Sequence, residues 1–155
     1  MEKSDIRVLR ALQLDGRISN QDLAAHVGLS PSSCWRRVRE LEAAGIITGY
    51  RATIDPEACG LGFHALVQVE LNRHAAEPLG SFGDMVAAHD EVLDCYATTG
   101  DADYHLRVVC RSKEAYFAFL EDVLFRLPVV SKVRTNLILT ETKRHGTLAF
   151  DMAAT

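Results

Sequence analysis

Between Val27 and Pro31 the chain must stop one helix and start another within five residues, Val27-Gly28-Leu29-Ser30-Pro31. Glycine is the usual left-handed residue after a helix, serine is a strong N-cap, and proline suits the first helical position, where its missing N–H costs nothing. Helices joined this tightly cannot continue in one line, so they form a corner around a shared apolar face. The flanking sequence agrees at helical spacing. A first helix is expected from about Asp5 to Leu14, burying Ile6, Leu9 and Leu12 and stopping at Asp15-Gly16. A second opens at Ser19 with Asp22 three residues on, and buries Leu23, Ala24 and Val27. The third runs from Pro31 to Ala44 and stops at Gly45.

After this tri-helix the pattern changes. Gly45 to Ile54 reads as short β-rich runs broken by Gly49, a small wing, and Asp55-Pro56 begins a connector reaching Gly62. Strands follow at His64–Leu71, Val92–Thr99, Asp103–Val109 and Val133–Thr140, with helices at about Glu77–His89 and at Lys113–Leu127, the latter stopped by Pro128. The expected division is a three-helix unit over 1–50, wing strand and linker over 51–62, and a βαββαβ unit over 63–155. That order gives an α+β chain whose second unit is a ferredoxin-like antiparallel sheet with helices on one face. Its other face is expected to be apolar and uncovered, and so to drive self-association. The Ala-rich tail, Asp151 to Thr155, is expected to fray.

With 155 residues, 48% of them hydrophobic, the chain can fill one medium core or two small ones. No run approaches the roughly 18 apolar residues of a membrane span, and Met1 to Ser4 lead into charged, amphipathic sequence rather than a signal peptide, so a cytoplasmic location is expected. Cys34, Cys59, Cys95 and Cys110 form no CxxC pair, which disfavours a zinc site or disulfide framework; each reads as a reduced core residue. The net charge is −4, yet the chain through Arg51 holds eight Lys/Arg against six Asp/Glu, and the remainder nine against fifteen. A mildly basic head on an acidic body is compatible with nucleic acid.

The third helix carries the most informative chemistry. With Val38 at the centre of its buried face, and about 100° per residue, Cys34, Trp35, Leu41 and Glu42 fall toward the core. Ser32, Ser33, Arg36, Arg37, Arg39 and Glu40 fall opposite. Arginine offers paired donors to guanine or phosphate, and hydroxyls near a helix N-terminus reach phosphates or base edges. A charged outer face is ordinarily only solvated. Here it lies on the second element of a helix-turn-helix, which docks in the major groove of double-stranded DNA. The expected DNA-contacting set is Ser30, Pro31, Ser32, Ser33, Arg36, Arg37 and Arg39. Trp35 is expected to be a core anchor.

Several stretches together resemble the Lrp/AsnC family of leucine-responsive, or feast-famine, transcription regulators. In the first unit they are Asp15-Gly16-Arg17-Ile18-Ser19, Leu23-Ala24, Val27 to Pro31, Cys34, Arg37-Val38, Leu41-Glu42 and Gly45-Ile46. In the second they are Gly100-Asp101-x-Asp103-Tyr104 and Leu127-Pro128-x-Val130, followed by Arg134-Thr135. The resemblance implies a transcriptional regulator whose βαββαβ unit binds an amino-acid effector and assembles a homodimer into a higher oligomer, commonly an octamer. Two departures, Ser33 where many members carry proline and a short arm before the first helix, bear on sequence preference and arm contacts.

The loop Thr98-Thr99-Gly100-Asp101-Ala102-Asp103-Tyr104 joins two strands. Gly100 permits a tight turn with exposed N–H groups suited to an α-carboxylate, and Asp101 or Asp103 suits an α-ammonium. The plainer reading is a hairpin whose aspartates cap backbone N–H groups. The resemblance favours an effector site at Thr98, Thr99, Gly100, Asp101, Asp103 and Tyr104, with Leu137 and Leu139 as further lining. No catalytic residue, metal ligand or cofactor is expected. Two other readings stand beside this one: a nucleoid-type protein that organises DNA without a ligand, and a metal-dependent enzyme built on Asp101, Asp103 and His105, which alternate at strand spacing.

Overall fold

Gly28 takes φ 69°, and the hydrogen bonds that close a helix C-terminus form around it, Gly28 N–H to Ala25 O at 3.4 Å and Leu29 N–H to Ala24 O at 2.9 Å. In this computed structural model, which describes residues 1–72, 80–144 and 146–150, that turn joins helix α2 (Asn20–Val27) to α3 (Pro31–Ala43). Ser19 Oγ accepts from Asp22 N–H at 3.1 Å, and Ser30 Oγ accepts from Ser33 N–H at 3.2 Å. Helix α1 (Lys3–Leu14) begins two residues earlier than expected, because Glu2 N–H donates to the Asp5 carboxylate at 2.9 Å. The three helices enclose Val8, Leu9, Leu23, Ala24, Val27, Cys34 and Leu41.

The expected β-runs over Gly45–Ile54 do not form; no strand is found there among the described residues. Gly45 at φ 67° reverses the chain, and Ile46 and Ile47 N–H both return to Leu41 O, at 3.0 and 3.1 Å. Beyond them no hydrogen-bonded strand forms beside the segment among the described residues, and an isolated strand has no ladder to stabilise it.

The second unit carries four antiparallel strands, β1 (Phe63–Leu71), β2 (Val92–Ala97), β3 (Tyr104–Cys110) and β4 (Val130–Leu137), in the order β2-β3-β1-β4. Helices α4 (Gly80–Ala88) and α5 (Lys113–Asp122) both deliver side chains to one sheet face. There Phe82, Met85, Tyr116 and Phe119 meet Ala65, Val67, Val69, Leu106 and Val108. The expected start of α4 at Glu77 lies outside the described residues, as does the tail Asp151 to Thr155.

Other boundaries also differ from expectation. Helix α5 ends at Asp122, and a single 3-10 turn, Leu124–Arg126, carries the chain on toward Pro128 while placing Leu124 fully in the core. Strand β4 runs earlier than Val133–Thr140 because its partner decides its span: Ala65 pairs with Leu137, and Leu71 with Val130 across a bulge. By packing, the chain after Glu141, as far as described, groups with the N-terminal helices rather than with the sheet.

The second sheet face also differs from expectation. It presents Gln68, Glu70, His105, Arg107 and Arg134 from the paired strands, and Arg107 donates to Asp94 at 2.6 Å. Leu66 and Tyr96 are exposed there, but the face is largely polar rather than apolar. Cys34 and Cys110 are buried and Cys95 is half-buried, whereas Cys59 lies exposed in the connector, so the core reading of the thiols fails at that one position. Among the described residues no helix is long and apolar enough to cross a membrane.

Candidate nucleic-acid interface and effector loop

Helix α3 packs through Cys34 and Leu41, with Val38 partly buried beside them. This seam sits about 50° from one centred on Val38, enough to change two assignments. Arg37 turns inward: its side chain is only 16% exposed, donates to Asp5 at 2.7 Å and forms a second, short ion pair with Glu2. Hydrogen bonds to Asp5 and then Glu2 hold its guanidinium above the ordinary arginine value. Arg37 therefore leaves the exposed arc and clamps α3 to the start of α1. Trp35 moves the other way and stands 59% exposed, so it is not the expected core anchor.

The remaining arc comprises Ser32, Arg36, Arg39 and Glu40. Arg36 donates to Glu40 at 2.6 Å, one turn along the helix. Arg39 donates to Glu42 at 3.1 Å, and its guanidinium lies 5.8 Å from the centre of the Trp35 ring. Tyr50 donates its hydroxyl to the other Glu42 oxygen at 3.1 Å; burial, then this bond, raises the phenol above its usual value. Ser30 serves as cap, and its hydroxyl also donates to Ser33 Oγ at 2.9 Å, while Ser32 Oγ lies 3.2 Å away. Asn20, which sequence reasoning missed, donates from its side-chain amide to Pro31 O at 2.9 Å and ties the start of α2 to that of α3. Its position at the first turn of α2 was visible, but the partner lies across the corner and only the fold brings the two together.

In the second unit, Gly100 takes φ 121°, and Thr99, Gly100 and Asp101 are exposed at the loop tip. Thr98 closes the loop base, donating its hydroxyl to Ala102 O at 3.1 Å and its N–H to Asp103 O at 3.0 Å. Asp103 extends the pairing with β1: its N–H donates to Val69 O at 3.0 Å and its carboxylate accepts from Leu71 N–H at 2.8 Å. Tyr104 packs its ring at a tilt against Phe82, ring centres 4.6 Å apart, and so faces the core. The loop thus brings Thr98, Gly100 and Asp103 into one frame and leaves Asp101 projecting. His105 lies across β3 from Gln68 and Tyr96. Among the described residues no cluster of three His, Cys, Asp or Glu side chains is placed to hold a metal. Leu137 and Leu139 are both exposed.

Two family models cover nearly the whole chain. Residues 1–48 match a winged helix-turn-helix DNA-binding domain, and residues 64–148 match the Lrp/AsnC ligand-binding domain. The chain belongs to the Lrp/AsnC family. It is similar to the leucine-responsive regulatory protein of Escherichia coli K12, at 37% identity over 148 residues, 96% of this chain and 90% of that protein. Among solved structures it resembles a Neisseria meningitidis transcriptional regulator in complex with L-Met, at 36% identity and TM-score 0.92 with 96% of each chain covered. It also resembles Escherichia coli AsnC, at 27% identity and TM-score 0.83, covering 93% of this chain and 95% of that one. As an Lrp/AsnC protein the chain is a DNA-binding regulator with a ligand-binding domain, and the two sites described above fall one in each matched region.

Proposed function

We propose that this regulator binds specific operator sequences through α3 and changes its activity or assembly when an amino acid occupies the loop around Gly100. The observation that carries the proposal is the pairing of an exposed Ser32/Arg36/Arg39 face on the second element of a helix-turn-helix with a glycine-centred loop framed by Thr98 and Asp103. Ser32, Arg36 and Arg39 supply the DNA contacts, Ser30 and Pro31 set the helix start, and Ser33 stands half-buried beside the cap. At the loop, exposed N–H groups around Gly100 receive the α-carboxylate and Asp101 the α-ammonium, while Asp103 holds the frame. Methionine is the effector class that the Neisseria structure supports by its bound L-Met. Assembly is a homodimer built into a higher oligomer, an octamer by family analogy, acting in the cytoplasm without a cofactor or metal.

A thermal-shift screen of the full chain against the twenty amino acids tests the sensing half, because a ligand bound only by the folded state raises Tm by mass action. One or a few amino acids are expected to raise it, with Asp101→Ala abolishing the shift. No shift with any amino acid overturns the effector assignment. For the DNA half, affinity for a selected operator should exceed that for random duplex by a factor on the order of 10³ or more. Equal affinities would instead support the nucleoid-type reading.

A further inference from the structure

Trp35, Arg39 and Glu42 follow one another at i, i+4 and i+7 on α3, so they form a single stripe along its exposed side. The stripe is backed from outside the helix. Tyr50, carried back by the Gly45 reversal, seats its ring against Gly16, where an added Cβ would lie 3.6 Å from the ring, and places its hydroxyl on Glu42. A cleft of about 280 Å³ lies directly beside this stripe, floored by Leu12, Ile18 and Val38.

Arg36 offers a contrast on the same helix. It shares Glu40, and both side chains are more than half exposed, a kind of pair that contributes little. Arg39 is itself 65% exposed, so the difference from Arg36 lies in the partner: Glu42 is only 29% exposed and also accepts from Tyr50. Arg39 is held from two directions, by the Glu42 carboxylate and by the Trp35 ring, within the range of cation–π attraction.

We propose that Trp35, Glu42 and Tyr50 are positioning residues that convert Arg39 from a general phosphate binder into a reader of one base pair. Glu42 engages one Nη of Arg39, and a guanidinium carries five N–H donors, so a pair remains for guanine O6 and N7. The carboxylate at 3.1 Å offsets the charge of Arg39 and weakens its attraction to phosphate, whereas the neutral base edge is penalised much less. Fixing the side chain beforehand also reduces the entropy lost on binding. The proposal rests on the reading that α3 enters the major groove and that Arg39 touches a base.

The test uses the full-length protein and the duplex it selects from a random-sequence pool. Affinity is measured by fluorescence anisotropy at several salt concentrations, against that duplex and its single-base variants. Arg39→Ala is expected to lose discrimination at one base pair by about tenfold or more, while the salt slope stays nearly unchanged. Glu42→Gln should relax the same base pair, tighten binding to random duplex and steepen the salt slope by about one, because the released Arg39 takes a phosphate. Tyr50→Phe and Trp35→Leu should relax that base pair by about threefold. Restoring a carboxylate with Glu42→Asp should recover part of it. Unchanged base preference in Glu42→Gln and Tyr50→Phe, with loss in Arg39→Ala, overturns the positioning proposal and leaves Arg39 a reader. Unchanged preference in Arg39→Ala removes Arg39 from the base edge altogether, and the proposal with it. Should Glu42→Gln not fold, Tyr50→Phe decides alone.

Discussion

Arg37 shows how one side chain can change its assignment without changing its chemistry. On the wheel it shares the arc of Arg36 and Arg39, but in the fold it meets Asp5 and Glu2 at 16% exposure. Arg37→Met should therefore behave as a stability mutation, leaving two carboxylates without their cation. A loss of about 1–2 kcal/mol is expected in urea unfolding, with base preference at the operator unchanged. A change in base preference at full stability would return Arg37 to the DNA face. Cys34 gives a pH signature in the same unit. Burial pushes its thiol above the ordinary value of 9.0, so the folded state disfavours the thiolate. Its contribution is fully present below the unfolded thiol value and is lost as pH rises from there through the folded one. Stability should fall above about pH 9, and Cys34→Ala should flatten part of that decline.

The elements were legible wherever the chain itself decides them. Ser19, Gly28, Ser30 and Pro31 set the limits of α2 and α3 through local hydrogen bonds, and those limits agree with expectation. Where a distant partner decides, the sequence was silent. Strand β4 takes its span from β1, α5 tightens into a 3-10 turn to bury Leu124, and the segment after Gly45 pairs with no strand. The interface followed the same division: periodicity found the polar arc, while Arg37 and Trp35 exchanged places because apolar spacing alone does not fix the rotation of a helix by 50° or so. At the loop, the turn at Gly100 was legible, but not the bond from Leu71 N–H to Asp103, whose donor lies 32 residues away. The helix corner invites a direct measurement. Around Gly28 an added Cβ would meet nothing within 4 Å, so the cost of a substitution is conformational alone. Gly28→Ala should lower stability by about 1–2 kcal/mol and Gly28→Asn by less, since asparagine tolerates the left-handed region better. Equal losses in chemical denaturation would mean that something other than φ sets the cost.

At the scale of the whole molecule, the chain passes between its two units twice, after Thr53 and after Glu141, instead of once through a single connector. The second passage ends on α1. Arg10 donates to Phe150 O at 2.6 Å, Gln13 accepts from Leu148 N–H at 2.6 Å, and the Phe150 ring packs against the tri-helix core. A three-helix unit of some fifty residues has little apolar area to bury, so one added aromatic is a sizeable share of its stability. Phe150→Ala should cost this unit about 1–3 kcal/mol. Trp35 is the sole tryptophan and lies in this unit, so its fluorescence reports that transition separately from the sheet. The expected result is a Trp35-detected midpoint shifted to lower urea, with the far-UV signal of the sheet unit moving less. If both probes shift together, the units unfold as one and the returning chain joins them energetically as well as covalently. If neither shifts, Phe150 contributes no net stability, and the N-terminal helices must be stable without the chain beyond Glu141, an outcome that a fragment ending at Thr53 would confirm by folding alone.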